Sequence, residues 1–200
     1  MITAKEMREL EDNCGIPKLQ LMENAGKGVY DIVKSRFSDL KDKSILIVCY
    51  HGNNGGDGFV AARHLCEECE TDVLFIGDEE KFKEDAGLNF KKIESNVRVQ
   101  IFSDIDMVDF DSYDIIIDCI LGIGVNGNLN EPLSSVVDLI NKSSAFKIAV
   151  DIPTGLDPDT GVVSDKMVNA DLILTMHDIK PGLEQFKDKV VVVDIGIRSS

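Results

Sequence analysis

The stretch Ser44–Arg63 has the sequence S-I-L-I-V-C-Y-H-G-N-N-G-G-D-G-F-V-A-A-R. It starts with an apolar, β-branched run, which predicts a buried strand. A loop with four glycines, two asparagines and one aspartate follows, and a helix-like segment begins directly after it. Dense glycines let a backbone approach a ligand closely, and the free N–H groups at a helix N-terminus attract anions. The stretch therefore predicts a strand, a ligand-binding loop and a helix, with a phosphorylated ligand.

Strand-like segments recur along the chain and alternate with helical ones. Several are continuous apolar runs, which are typical of parallel strands buried on both faces. We predict strands at Ser44–Tyr50, Asp72–Ile76, Val97–Ile101, Tyr113–Ile120, Ala145–Asp151, Leu172–Thr175 and Val190–Ile195. We predict helices at Gly56–Glu70, Glu79–Lys92 and Leu133–Asn141, a short one within Asp104–Phe110, and two leading helices. Thr3 and Glu6 form a capping box for the first leading helix, and the second covers Leu19–Phe37. This order predicts a doubly wound α/β sandwich with a mostly parallel sheet, as one domain over residues 1–200.

The bulk composition limits the classes of function. The 200 residues carry a formal net charge of −15, which argues against a nucleic-acid or anionic-membrane partner. No apolar run reaches the length of a membrane span, and the first residues lack the apolar core of a signal peptide. Five cysteines suit reduced thiols, so we expect a cytoplasmic protein. Cys66 and Cys69 form a C-x-x-C within the predicted helix, without a second pair to complete a zinc site.

Glycines, carboxylates and hydroxyls gather at the predicted carboxyl ends of four strands. Those ends are Gly52–Gly58, Asp118–Gly124, Asp151–Gly155 and Thr175–Gly182. Ligands of open α/β sheets bind at this edge, so the four loops predict one site.

The first loop lacks the lysine of a Walker A motif, but its backbone N–H groups suit a diphosphate. Asn53, Asn54 and Asp57 add side-chain oxygens there. The alternative is a tight turn in which Asp57 or Asn54 caps the helix.

A second glycine motif, Gly122–Gly127, matches G-x-G-x-x-G, and Asp151 ends the next strand where an acid that binds ribose is expected. A nicotinamide dehydrogenase is therefore a rival hypothesis. Against it, residues 128–132 separate the motif from the next helix, and the motif follows the fourth strand instead of the first.

Asp118 and Asp151 end neighbouring predicted strands. Each carboxylate could simply accept bonds from loop amides. In the sharper hypothesis, one helps to bind a hard cation with oxygens such as those of Asn54 and Thr154, and the other exchanges a proton with substrate. His51 and His177 also lie at strand ends and could line the site.

These motifs together resemble the YjeF N-terminal domain, the NAD(P)HX epimerase family, over nearly the whole chain. The matching segments are Thr3…Met7-Arg8, Gly15-Ile-Pro…Leu21-Met-Glu-Asn-Ala-Gly26, Gly52-Asn-Asn-Gly-Gly-Asp-Gly58, Asp118…Gly122-Ile-Gly124, Asp151-Ile-Pro-Thr-Gly155, Lys180-Pro-Gly-Leu183 and Val193-Asp-Ile-Gly196. The resemblance implies a Rossmann-like fold and an enzyme that interconverts the R and S forms of hydrated NADH or NADPH.

The resemblance also implies a set of site residues. The substrate would be held by Asn53, Asn54, Gly55, Gly56, Asp57, Gly122, Ile123, Gly124, Val125, Asn126, Gly127, Asn128 and Asp151. A potassium ion would be bound by Asn54, Asp118 and Thr154, and Asp151 would be the proton donor or acceptor. The chain departs from the family where Ile123 replaces a common threonine and where no basic residue lies near Gly127.

Family members that continue further carry an ATP- or ADP-dependent dehydratase domain, so the expected partner is a fused or separate dehydratase. A homodimer is expected as well. The rival from another class is a non-catalytic nucleotide- or protein-binding module of the same fold. The intact set of Asn54, Asp118, Asp151 and Thr154 favours the enzyme.

Overall fold

A parallel sheet forms the centre of the fold. The computed structural model describes residues 1–96, 98–124 and 127–198. Within these residues seven strands form one sheet in the order β3-β2-β1-β4-β5-β6-β7, and all neighbouring strands are parallel. They are β1 Ser44–Cys49, β2 Glu70–Phe75, β3 Val99–Phe102, β4 Ile115–Cys119, β5 Phe146–Val150, β6 Leu172–Met176 and β7 Val190–Val193. The predicted doubly wound, Rossmann-like sandwich is confirmed; Val97, the predicted start of the third strand, lies outside the described residues.

Five α-helices accompany the sheet in the same residues. They are α1 Ala4–Asn13, α2 Lys18–Arg36, α3 Asn53–Leu65, α4 Glu84–Glu94 and α5 Leu133–Lys142. The capping box of α1 is confirmed, because Thr3 Oγ1 accepts from the Glu6 N–H and the Thr3 N–H donates to Glu6 Oε2. None of the helices in the described part is long and apolar enough to cross a bilayer.

Alternate residues of β1 face opposite helical layers. Ile45 and Ile47 pack in the core on the side of α2, α3 and α4, whereas Leu46 and Val48 pack on the side of α5. All four are fully buried. Burial on both faces explains why the strand has a continuous apolar run instead of an alternating pattern.

Helix α3 begins earlier than the sequence predicts. Its N-cap is Gly52 and it ends at Leu65, so the predicted helix Gly56–Glu70 has wrong boundaries. No side chain of the described residues caps α3, so the alternative in which Asp57 or Asn54 caps the helix is wrong. Cys66 is the C-cap, which places the C-x-x-C at and after the helix end instead of within the helix.

The glycines of α3 allow the helix to pack very closely on its neighbours. A Cβ at Gly55 would collide with the Tyr50 carbonyl oxygen, and a Cβ at Gly58 would lie 2.6 Å from Cys49 Sγ. Gly52, in contrast, has no atom within 4 Å of its Cβ position. Close packing therefore outweighs the low helix propensity of glycine. Of the four glycines in this segment, Gly52 alone has free space at its Cβ position.

Two further helical predictions need correction. The predicted helix Glu79–Lys92 is a 3₁₀ turn at Glu79–Lys81 followed by α4, and the short helix within Asp104–Phe110 is a 3₁₀ turn at Ile105–Met107. Neither change affects the sheet.

The chain adds strands first on one side of β1 and then on the other side. The chain runs from β1 outward to β3, and then returns to β4 and runs to the other edge. The loops after β1 and β4 therefore separate at a topological switch point, where open α/β sheets bind ligands.

Candidate functional site

A cavity of about 330 Å³ opens at this switch point. The loops after β1, β4 and β5 form its floor and sides, and α1 contributes a further wall. Its lining residues are Met7, Arg8, Glu11, Tyr50, His51, Gly52, Asn53, Asn54, Asp57, Lys83, Ile120, Leu121, Gly122, Ile123, Gly124, Asp151 and Met176. A second cavity of about 290 Å³ is also lined by Glu11, Asn53, Asp57, Lys83 and Met176. The shared walls make the two cavities adjacent compartments of one site.

Asp118 and Thr154 are joined directly beneath the site. Asp118 is 0% exposed, and its Oδ1 accepts from Thr154 Oγ1 at 2.7 Å while its Oδ2 accepts from the Thr154 N–H at 2.8 Å. Oδ1 also accepts from the Ile120 N–H at 3.1 Å. Burial raises the pKa of Asp118 to about 6, although these hydrogen bonds oppose the rise. The pair ties the loop after β4 to the loop after β5.

Asn54 has an unusual environment for an amide. Its side chain is 6% exposed, and neither Oδ1 nor Nδ2 has a hydrogen-bond partner among the described residues. An unsatisfied buried polar group costs about 1–3 kcal/mol. A Cβ at Gly122 would lie 3.5 Å from Asn54 Cγ and 2.9 Å from Asp151 Oδ2, so the glycine lets these side chains converge. The amide is therefore suited to a bound ligand or cation.

Asp151 follows β5 with a left-handed backbone conformation. Its φ is 66°, which is uncommon for residues other than glycine, and its side chain lines the larger cavity. Oδ1 accepts from Lys180 Nζ at 2.7 Å, and Oδ2 accepts from the Ile123 N–H at 3.2 Å. Both oxygens of the carboxylate are thus fixed by donors from different loops.

Lys180 was not predicted as a site residue. It belongs to the predicted site loop Thr175–Gly182, its side chain is 0% exposed, and it forms an ion pair with Asp151. A signal was present in the sequence, because Lys180 follows β6 at the same edge of the sheet. The sequence does not show that Asp151 is the ion-pair partner of Lys180, because the two residues are distant along the chain.

Two more carboxylates face the cavity. Burial raises the pKa of Asp57 well above its ordinary value, and the negative charges of Asp151 and Glu11 add to the rise, while Lys180 opposes it. Burial also raises the pKa of Glu11, which Lys18 opposes. Raised pKa values in a cleft are typical of groups that hold a proton for transfer.

Helix α1 supplies residues that the sequence did not assign to the site. Arg8 Nη1 donates to the Ile123 carbonyl oxygen at 3.0 Å, and Met7 and Glu11 of the same helix line the cavity. The leading helix therefore packs against the glycine loop after β4.

The remaining predicted residues have varied positions. Gly55 and Gly56 are buried within α3, and Gly122, Ile123 and Gly124 line the larger cavity. Val125 and Asn126 lie outside the described residues. Gly127 lines a separate small cavity, and Asn128 is exposed. His51 lines the main cavity, whereas His177 is not among its lining residues.

The described residues of the second glycine motif, 122–124 and 127, do not belong to a helix. The residues after Gly127 contain no helix before α5 begins at Leu133, and the motif follows β4 instead of β1. The geometry of a dinucleotide-binding fingerprint, with a helix directly after the glycines, is therefore not present there.

Comparisons with known proteins agree with the fold and with these motifs. A profile of the family described as "YjeF-related protein N-terminus" matches residues 18–182. A crystal structure of the yeast protein ynu0 superposes with a TM-score of 0.84 at 24% identity, over 96% of this chain and 86% of that one. This likeness supports the fold.

Among curated proteins, the chain is 42% identical to the "Bifunctional NAD(P)H-hydrate repair enzyme Nnr" of Archaeoglobus fulgidus, over 100% of this chain and 42% of that protein. It is 35% identical to the "NAD(P)H-hydrate epimerase" of Nitrosopumilus maritimus, over 94% of this chain and 89% of that protein. The corresponding protein of Oenococcus oeni is 36% identical, over 98% and 96% of the two chains. The chain thus spans less than half of the bifunctional relative and most of each shorter one. It belongs to the YjeF N-terminal family.

Proposed function

We propose that this chain is an NAD(P)H-hydrate epimerase that interconverts the R and S forms of hydrated NADH and NADPH. The observation that carries the proposal is Asp151, a carboxylate fixed at both oxygens that lines the cavity at the switch point. Relatives named as epimerases match nearly the whole chain, which supports the same reaction.

The reaction inverts one carbon of a reduced nicotinamide ring that carries a hydroxyl. The lone pair of the ring nitrogen can expel this hydroxyl once it is protonated, which gives water and a planar iminium cation. Addition of water to the opposite face, with loss of a proton, gives the other epimer. The protein therefore has to supply a proton, accept one, and stabilise a cation.

The carboxyl groups of the cavity suit these tasks. Asp57 has a raised pKa and is suited to hold the proton that the leaving hydroxyl needs. Asp151 is ion-paired with Lys180, and as a carboxylate it stabilises the cationic ring and accepts the proton of the incoming water. Glu11 adds a third acidic group to the same walls.

A potassium ion is the cofactor that we propose for this site. Asn54, Asp118 and Thr154 would hold it through amide, carboxylate and hydroxyl oxygens, which are the donors that hard cations prefer. The unpartnered Oδ1 of buried Asn54 fits this role, because a cation would satisfy it. When bound, the ion would offset the negative charge of Asp118 and hold the loops after β1, β4 and β5 in register.

The direct test uses purified R-NADHX and an S-specific dehydratase in excess, with NADH absorbance as the readout. We expect R-NADHX to be consumed faster than by spontaneous epimerisation. Asp151→Asn should lower kcat by about 100-fold or more. Asp171→Asn is the control, because Asp171 directly precedes β6, at the amino ends of the strands, and accepts a hydrogen bond from the Lys147 N–H. A wild-type rate equal to the spontaneous background would refute the epimerase.

The partner that we propose is the dehydratase that consumes the S epimer, either fused or separate. The relatives named as bifunctional support this pairing. A homodimer and a cytoplasmic location stay predictions, which light scattering and cell fractionation would test.

A further inference from the structure

Lys180 is the only lysine in the described part of the chain with a fully buried side chain. Lysine is almost never fully buried unless it is paired, because removing the ammonium from water is costly. Apolar residues of similar volume often replace buried ion pairs without loss of stability. The charge of Lys180 therefore calls for an explanation other than packing.

All the hydrogen-bond donors of Lys180 are occupied. An ammonium group has three N–H bonds, and Nζ lies 2.7 Å from Asp151 Oδ1, 3.1 Å from Thr175 Oγ1 and 2.7 Å from the Met176 carbonyl oxygen. Lys180 is also not among the residues that line the larger cavity. It has no donor left for a substrate and no surface facing one, so any effect on the reaction has to pass through a neighbour.

That neighbour is Asp151. Lys180 fixes Oδ1, and the Ile123 N–H fixes Oδ2, so the two bonds set the plane of the carboxylate. The two donors come from the loops after β6 and β4, on either side of β5. Two oxygens offer about four acceptor positions, so positions remain for a ligand in the cavity.

We propose that Lys180 is a positioning residue of the epimerase reaction, which holds the Asp151 carboxylate in the orientation that faces the substrate ring. This inference rests on the proposed function. Without the lysine, the Asp151 side chain would keep only the Ile123 contact and could rotate away from the reacting carbon.

The test is a double-mutant cycle with Lys180→Met and Asp151→Asn in the full chain, measured by R-NADHX consumption. We expect Lys180→Met to lower kcat by about 100-fold, the loss that follows a misplaced catalytic group, with KM within about two-fold of wild type. In the Asp151→Asn background, Lys180→Met should cause no further loss, because its effect passes through the carboxylate. Retention of wild-type kcat, or losses that multiply in the double variant, would overturn the proposal.

A matched control is Lys147→Met. The Lys147 ammonium group also donates to two backbone carbonyl oxygens, those of Ser143 and Ala145. Its Nζ forms no ion pair with a carboxylate of the described residues, and Lys147 lies in β5 and does not line the cavity. We expect kcat and KM to stay at wild-type values. A loss of kcat in this control as large as in Lys180→Met would mark a general effect of removing lysines and overturn the assignment.

A second measurement covers the case in which Lys180→Met does not fold. Lysine labelled with ¹⁵N at Nζ should show one slowly exchanging ammonium signal in the wild-type protein, because only one lysine of the described residues is fully buried. Saturation with NADP⁺ should shift this signal if Lys180 senses the cavity through Asp151, and an unmoved signal in the saturated protein contradicts the proposal. This readout needs no turnover: an inactive wild type refutes the epimerase, whereas an active wild type with a fully active Lys180→Met refutes only the role of Lys180.

Discussion

Replacing Asn54 by leucine should stabilise the protein in potassium-free buffer. Asn54 is 6% exposed, and its side-chain carbonyl oxygen and NH2 group both have no partner among the described residues. Each such group costs about 1–3 kcal/mol, and leucine is an apolar side chain of similar size with a better helix propensity. Some strain from the changed shape offsets part of the gain. We therefore expect a net increase of about 1–3 kcal/mol in the free energy of unfolding, or roughly 2–12 °C in Tm for a chain of this length.

Potassium should reduce the stability advantage of Asn54→Leu over wild type. An ion bound only by the folded state stabilises wild type by about 1.4 kcal/mol at ten times its Kd. Asn54→Leu lacks the amide oxygen and should gain nothing from KCl relative to choline chloride at equal ionic strength. The variant should also lose epimerase activity, because the same amide lies beside Asp151 and Gly122.

Urea denaturation with and without KCl measures both effects. Asn53→Leu is the matched control, since Asn53 is the exposed neighbour at the start of α3, and its stability should change by less than about 0.5 kcal/mol. A variant Asn54→Leu that is less stable than wild type without potassium would refute the reasoning that the amide is unsatisfied. A wild type that gains nothing from KCl would refute the cation.

Three further predictions concern packing, pH and charge. Gly58→Ala should lower the free energy of unfolding, measured in urea, by several kcal/mol, because the added Cβ would lie 2.6 Å from a buried sulfur atom. Gly52→Ala should leave the free energy of unfolding unchanged but weaken dinucleotide binding, measured by calorimetry. Burial raises the pKa of Asp118 in the folded state to about 6, above its ordinary value of 3.8, so the free energy of unfolding falls as pH rises from about 4 to 6. Above pH 6 the loss of stability reaches its full value of about 3 kcal/mol. Asp118→Asn should remove this contribution to the pH dependence of stability in denaturation curves. Arg8→Met should raise the KM for NADHX and make this KM less dependent on salt concentration, because the positive charge of Arg8 lines the cavity. Lys5→Met, on the exposed face of the same helix, should leave the KM and its salt dependence unchanged.

The sequence carries enough information for the sheet and for the edge where the site lies. Continuous apolar runs such as Ile45–Val48 identify strands that are buried on both faces, and the alternation with helical segments fixes a parallel sheet. Once the strands are placed, Asp118 and Asp151 have to end neighbouring strands at one edge. The direct bond between Asp118 and Thr154 follows from that placement, since both belong to loops at adjacent strand ends.

The start of α3 and the walls of the cavity could not be predicted in the same way. Glycine disfavours helices locally, so the residues from Asn53 to Gly58 look like a loop until their packing against β1 is known. Arg8 and Glu11 belong to a helix whose pattern shows an apolar face but not the surface on which it packs. Lys180 is a polar residue in a loop, and only the contact with Asp151 distinguishes it from a solvated lysine.

The distribution of charge in the cavity predicts how the proposed dinucleotide substrate would bind in it. Glu11, Asp57 and Asp151 place three carboxyl groups on the walls of the larger cavity, and the Asp151 carboxylate favours a ring that becomes cationic during the proposed reaction. The N–H groups at the start of α3 attract anions, and the open surroundings of Gly52 leave room for them there. Arg8 provides a positive charge in the same cavity. We therefore expect the diphosphate of the proposed substrate to bind at the start of α3, with the hydrated ring directed toward these carboxyl groups.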